Sequence, residues 1–142
     1  MSATPPVART PPLTGTCHCG AVHWRVTRCE RDATVCNCTI CRRYGAIWAY
    51  DWQGEGIEVT GRTRPYRRAD SGEIEFHFCP TCGCVSHWQA HDPDSQGRTR
   101  IAVNLRLGDP ARVAGFPVLH FDGLVHFADA PGRGRTVGHY LD

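Results

Sequence analysis

Cys36-Asn37-Cys38-Thr39-Ile40-Cys41 places three thiols within six residues, a density that ordinary core packing does not ask for. Zinc takes thiolates in tetrahedral geometry, and three protein ligands with one open position is the arrangement of catalytic rather than structural sites. Two further clusters flank this one, Cys17-His18-Cys19 between Gly15 and Gly20, and Cys79-Pro80-Thr81-Cys82-Gly83-Cys84. Together they take eight of the nine cysteines; Cys29 stands apart.

A structural zinc wants four thiolates, two from each of two tight turns, and Cys17 and Cys19 with Cys79 and Cys82 make that set. Cys36, Cys38 and Cys41 are then left as a second, three-ligand site. Spacing leaves one alternative open: Cys84 or one of the eight histidines closes the second site, and both ions become structural.

At 142 residues the chain has room for one modest core, which a bound metal would help to stabilise. Nine is an odd number for a disulfide scaffold, and the opening MSATPPVARTPPLTG has no continuous apolar stretch of the secretory kind. A reducing, cytoplasmic setting is expected, where clustered cysteines hold metals rather than each other. No apolar run approaches the roughly 20 residues of a spanning helix, so no membrane is expected. A net charge of +2 is too small and too evenly spread to predict nucleic-acid binding. All sixteen basic residues are arginine, which excludes lysine nucleophiles and Schiff bases and leaves arginine as the fixed cation for an anionic ligand.

Residues 1–13, with prolines at 5, 6, 11 and 12, read as a disordered lead-in, 14–130 as one β domain and 131–142 as a tail. Val22, Trp24 and Val26 alternate with polar residues as a strand, which the Glu30-Arg31-Asp32 turn returns as a hairpin into Ala33–Val35. Strands are also predicted over 46–52, 57–60, 85–89 and 118–121, with Ile74, Phe76 and Phe78 pointing inward along another. Residues 61–72 read as a polar connection, Ile101, Val103, Leu105 and Leu107 as the cleanest strand, and Asp109-Pro110-Ala111-Arg112 as the start of a helical turn. The class is all-β.

Gly15-x-Cys17-x-Cys19-Gly20, Cys36-x-Cys38-x2-Cys41-Arg42 and Phe78-Cys79-x2-Cys82-Gly83, in this order, resemble the glutathione-dependent formaldehyde-activating enzyme family, also called the centromere protein V domain family. The resemblance spans Thr14 to about Gly123. It implies a β-tent fold shared with methionine sulfoxide reductase B, a structural zinc on Cys17, Cys19, Cys79 and Cys82, and a second zinc on Cys36, Cys38 and Cys41. The chain departs from many relatives at Asn37, where a histidine is common, and at Cys84, where a hydroxyl residue is common. These positions bear on substrate choice, because groups beside a metal site orient its ligands.

Three thiolates and one Zn²⁺ sum to a formal charge of −1, so such an ion acidifies water less than one held by neutral histidines. A thiol entering the fourth position is deprotonated instead and keeps an electron-rich sulfur that attacks a carbonyl carbon. The expected activity is that of a carbon-sulfur lyase joining a thiol such as glutathione to a small aldehyde. Arg42 and Arg43, next to Cys41, are the candidates for the carboxylates of glutathione, with solvated loop residues as the other reading. The Arg62–Arg68 run reads as exposed turn. His120 and Asp122 read as an ordinary strand end, and Trp24, Trp48, Trp52 and Trp88 as core. The rivals are a non-catalytic two-zinc binding module and a sulfoxide reductase, the latter disfavoured because 101–107 offers no cysteine. Oligomeric state is not legible.

Overall fold

A computed structural model describes residues 12–29, 32–70, 72–131 and 134–142. The first eleven residues of the expected lead-in lie outside the described residues. Chain order is β1 (Leu13–Thr16), β2 (His23–Val26), β3 (Ala33–Cys36), α1 (Cys41–Tyr44), β4 (Trp48–Trp52), β5 (Ile57–Thr60) and β6 (Arg64–Arg67). Then come β7 (Ile74–Phe78), β8 (Val85–Ala90), β9 (Arg100–Asn104), α2 (Pro110–Val113), β10 (Val118–Asp122) and β11 (Ala128–Asp129). The chain is all-β, with two helices of four residues each among the described elements.

Two sheets form. One is β1-β2-β5; the other runs β11-β10-β3-β4-β9-β8-β7-β6, antiparallel except where β10 pairs parallel with β3. Between them Leu13, Trp24 and Val26 of the small sheet and Ile57 of β5 meet Ala49, Ile101, Val103 and Val118 of the large one. Burying each large aliphatic side chain contributes about 1.5–3 kcal/mol. The far face of the large sheet carries Trp48, Phe76 and Ala102 in a second cluster that includes Cys38 and Cys41. Alternate residues of β4 and β9 thus divide between core and cysteine loop, as the pleat requires.

Five expectations are corrected. The predicted hairpin from β2 into β3 does not form: β1 and β5 take both edges of β2, with Val26 opposite Leu13 and Ile57, while β3 pairs with β4 and β10. Residues 61–72 are not all connection, because Arg64–Arg67 adds β6 to the edge of β7, with Tyr66 opposite Phe76. The strand expected to reach Leu107 ends at Asn104, whose side chain accepts from the Arg106 N–H and turns 105–107 into one 3₁₀ turn. Leu13, assigned to the lead-in, is a buried strand residue, and the segment set aside as a tail sends Val137, on a 3₁₀ turn, into the core. Isolated hydrophobes of this kind carry no period to read. The helical turn at α2 forms as expected, with Asp109 accepting from the Ala111 N–H and Pro110 at its first position.

Candidate metal centres and the adjoining pocket

Cys17 and Cys19 sit in the turn after β1, Cys79 and Cys82 in the turn after β7, and the four sulfurs lie within 4.8 Å of one another. Each turn is a knuckle whose amides point at sulfur: the Val22 N–H reaches Cys17 Sγ at 3.3 Å, and those of Thr81 and Cys82 reach Cys79 Sγ at 3.4 and 3.5 Å. Gly20 and Gly83 close the two knuckles at φ of 83° and 81°, the left-handed region that side chains other than glycine's resist. Amide donation from Cys84 pulls the Cys82 thiol down to about 5, and donation from Cys82 lowers Cys79. Sulfurs of Cys17 and Cys19 stand 3.7 Å apart and those of Cys19 and Cys79 3.6 Å. Tetrahedral bonds of about 2.3 Å require about 3.8 Å between thiolates, so the set fits a zinc-sized ion.

Cys36, Cys38 and Cys41 form the second cluster, their sulfurs also within 4.8 Å. The Cys38 N–H donates to Cys36 Sγ at 3.4 Å, the Cys41 N–H to Cys38 Sγ at 3.3 Å, and Trp48 Nε1–H to Cys41 Sγ at 3.4 Å. Hydrogen bonds from the Cys36 and Cys41 thiols drive Cys38 down to about 2, contacts with Cys36 and then Cys38 push Cys41 up, and the contact with Cys38 pushes Cys36 up. Three thiolates this close together repel one another and need a cation among them. No fourth histidine, cysteine or carboxylate among the described residues joins this group. Cys84, the candidate to close it, packs instead with Cys17, Val22 and Cys79 at the first cluster.

Asn37 ties this loop to the segment after β10. Asp122 accepts from Asn37 Nδ2 at 3.1 Å, from the Val125 N–H at 3.0 Å and from His126 Nδ1 at 2.8 Å, while Asn37 Oδ1 accepts from the Leu124 N–H at 3.1 Å. The Val125 and His126 bonds hold the Asp122 carboxyl well below the usual range. A Cβ on Gly123 would lie 2.8 Å from Cys36 Sγ, so glycine is what lets the two loops touch. His120 turns away, its Nε2 2.6 Å from the Tyr140 hydroxyl. Neither His120 nor Asp122 belongs to the thiol cluster, as expected of a strand end.

The three thiols form part of the wall of a cavity of about 280 Å³. Trp48 and Tyr50 of β4, Phe76 of β7, Trp88 of β8, and Phe121 and Phe127 line it. Arg68 and Glu73 are its charged residues, and Arg68 is held by Asp70 through two bonds of 2.8 and 2.7 Å. Trp48 and Trp88, assigned to the core, are therefore also cavity wall. Arg68, read as exposed turn, is the arginine that lines this cavity; that β6 pairs with β7 was the missing information. Arg42 and Arg43 do not line this cavity. Arg42 lines another, of about 300 Å³, which reaches Cys36 and Cys41 from a side shared with Arg106 and Tyr140. Arg43 donates to the Thr39 carbonyl at 2.7 Å.

Residues 12–112, which contain all three cysteine clusters, match the family model of the glutathione-dependent formaldehyde-activating enzyme. The chain belongs to that family. Glutathione-dependent formaldehyde-activating family membership thus covers both thiol clusters, whereas the cavity wall at Phe121, Gly123 and Phe127 lies past the matched residues. A crystal structure of a Rhodobacter sphaeroides protein, solved as a structural-genomics target, is similar at 29% identity and a TM-score of 0.56, over 74% of this chain and 98% of that one. Among curated proteins, none matches this chain. No helix among the described residues is long and apolar enough to cross a membrane.

Proposed function

We propose that this family member is a zinc-dependent carbon-sulfur lyase that joins a thiol, glutathione for choice, to a small aldehyde and so forms an S-hydroxyalkyl adduct. Cys17, Cys19, Cys79 and Cys82 hold a structural zinc, and Cys36, Cys38 and Cys41 a second, catalytic one. When bound there, the metal supplies a fourth position that keeps an incoming thiol as thiolate at neutral pH. The observation that carries the reading is the three-donor cluster in a cavity wall, against four donors packed together at the other site.

The chain's own residues do the rest. Trp48 fixes Cys41 by its indole N–H, and Asn37 holds the loop of residues 122–126 against the cysteines. Arg42, with Arg106 beside it, offers cations to the carboxylates of the thiol from the second cavity. Arg43, one residue on, lines a different cleft with Arg68 and is the weaker candidate. The thiol gives up its proton, sulfur bonds to the carbonyl carbon, the C=O π pair moves to oxygen, and oxygen takes up a proton. The aromatic wall sets that carbon against apolar surface. The reading calls for a compartment rich in reduced thiol, the cytoplasm.

Adduct formation from glutathione and formaldehyde, measured against the spontaneous rate, tests the reading. Acceleration by the zinc-loaded protein that disappears in Cys38→Ser supports it. Arg42→Ala should raise KM for the thiol and leave kcat nearly unchanged, because a carboxylate contact exists before and during the transition state alike. No acceleration leaves a two-metal binding module.

A further inference from the structure

The cavity beside Cys36, Cys38 and Cys41 is far larger than a one-carbon carbonyl needs. A water occupies about 30 Å³ in the liquid, formaldehyde has one heavy atom more, and the cavity holds about 280 Å³. Its walls are rings: Tyr50 and Trp88 meet at 5.7 Å, Trp48 and Phe76 at 6.1 Å, and Phe121 and Phe127 edge to face at 5.0 Å. Glutathione, with two carboxylates and two amides, is a poor match for such a lining.

The mouth points the same way. Phe127, which lines the cavity, is 77% exposed, and Leu124 and Val125 near it in the chain are exposed as well, an apolar rim next to a largely aromatic wall. Among the described residues Phe127 is the non-glycine residue at positive φ, 50°, a backbone conformation that a bulky side chain adopts only under strain. The hydrogen bonds of Asp122 hold the turn that leads into it. A strained backbone that holds a large ring in water gains its burial when an apolar ligand covers the ring.

We infer that the carbonyl partner of this site is an aldehyde bearing an aromatic ring, or an apolar group of like size, rather than formaldehyde; the inference rests on the thiol-addition reading above. The ring lies among Trp88, Phe121 and Phe127 and the carbonyl faces the thiols. The reaction balances as before, with one C–S bond formed, one C=O π bond broken and the thiol proton returned at oxygen, so no oxidant or reductant enters. Because the chain has no lysine, side-chain Schiff bases do not obscure binding of an aldehyde.

The test pairs equilibrium dialysis of benzaldehyde without thiol with adduct kinetics for benzaldehyde and formaldehyde, all on zinc-loaded protein. Saturable benzaldehyde binding is expected, with kcat/KM at least about tenfold above that for formaldehyde. Trp88→Ala and Phe127→Ala should each weaken binding and lower kcat/KM for benzaldehyde about tenfold, and change formaldehyde less than twofold. Phe127→Ala, at an exposed position, keeps the test decisive if Trp88→Ala fails to fold. Turnover of formaldehyde with no saturable benzaldehyde binding overturns the inference and leaves the thiol reading standing. Benzaldehyde binding that depends on both rings, with no adduct from either aldehyde, overturns the thiol reading and the substrate assignment with it. Equal loss for both aldehydes in Phe127→Ala also overturns the inference.

Discussion

The two thiol clusters are built from the same donor atoms and surrounded differently. At the first, four sulfurs from two knuckles face one another and Cys84 and Val22 pack against them. At the second, three sulfurs on one short loop share a wall with six aromatic rings. The first joins the turns after β1 and β7, with Cys19 and Cys79 60 residues apart in the chain, and the second closes one short loop, to which Trp48 of β4 and the neighbouring turn at Asp122 are bonded. A site that closes a long chain loop stabilises the fold, and a site that closes a short one leaves the fold nearly independent of it. Donor count and sequence span together separate scaffold from chemistry.

The largest expected effect follows from that difference. Cys79→Ser should unfold the domain, since a structural zinc contributes on the order of 10 kcal/mol, whereas Cys38→Ser should lose one zinc and keep a cooperative melt. Zinc analysis beside thermal unfolding reads both. Equal collapse of the two variants breaks the comparison.

A pH effect is expected in the strands that connect the clusters. β7 and β8 carry Phe76 and Trp88 into the cavity wall and lead to Cys79, and His77 and His87 stack between them at 4.6 Å. Burial, and then the charge of His77, pull His87 down to about 3. A histidine lowered on folding binds its proton more readily unfolded, so its contribution is full above about 6.5 and is lost as pH falls from there toward 3. His87→Gln should flatten that part of the stability–pH curve, by a few kcal/mol at its acid end, as followed by denaturant melts of the wild type and variant. An unchanged acid limb contradicts the assignment.

Asn37→Ala should cost only about 1 kcal/mol in stability, because its bonds to Asp122 and Leu124 lie at the surface. Its main effect should be faster hydrogen exchange at 123–127 with the first cluster untouched. Smallest of all, serine at Cys29 and Cys84 should leave the metal count unchanged; loss of a zinc in Cys84→Ser would move that residue into a site.

Both thiol clusters were legible because tight-turn spacing survives in the sequence as Cys-x-Cys and Cys-x2-Cys, whatever the strands do around it. Most strands were legible from their alternation. What was not legible depends on contacts between distant residues. Trp48 has the same signature whether it fills the core or walls a cavity, and here it does both. Arg68 reads as a charged turn until β6 pairs with β7 and carries it to the cavity. The parallel pairing of β3 with β10, which brings Phe121 opposite Cys36, leaves no local trace at all. Asn37 was visible as a departure from relatives, but its bond to Asp122, 85 residues away, was not.

The claim that one cluster is closed and the other open is tested most directly by cobalt substitution followed by thiol titration. Cobalt at both sites should show sulfur-to-metal charge-transfer absorption, and millimolar glutathione should add to it only through the Cys36, Cys38 and Cys41 site, so that Cys38→Ser abolishes the change. A spectrum that glutathione and smaller thiols leave unaltered in the fully loaded protein would contradict the open site and make both clusters scaffold.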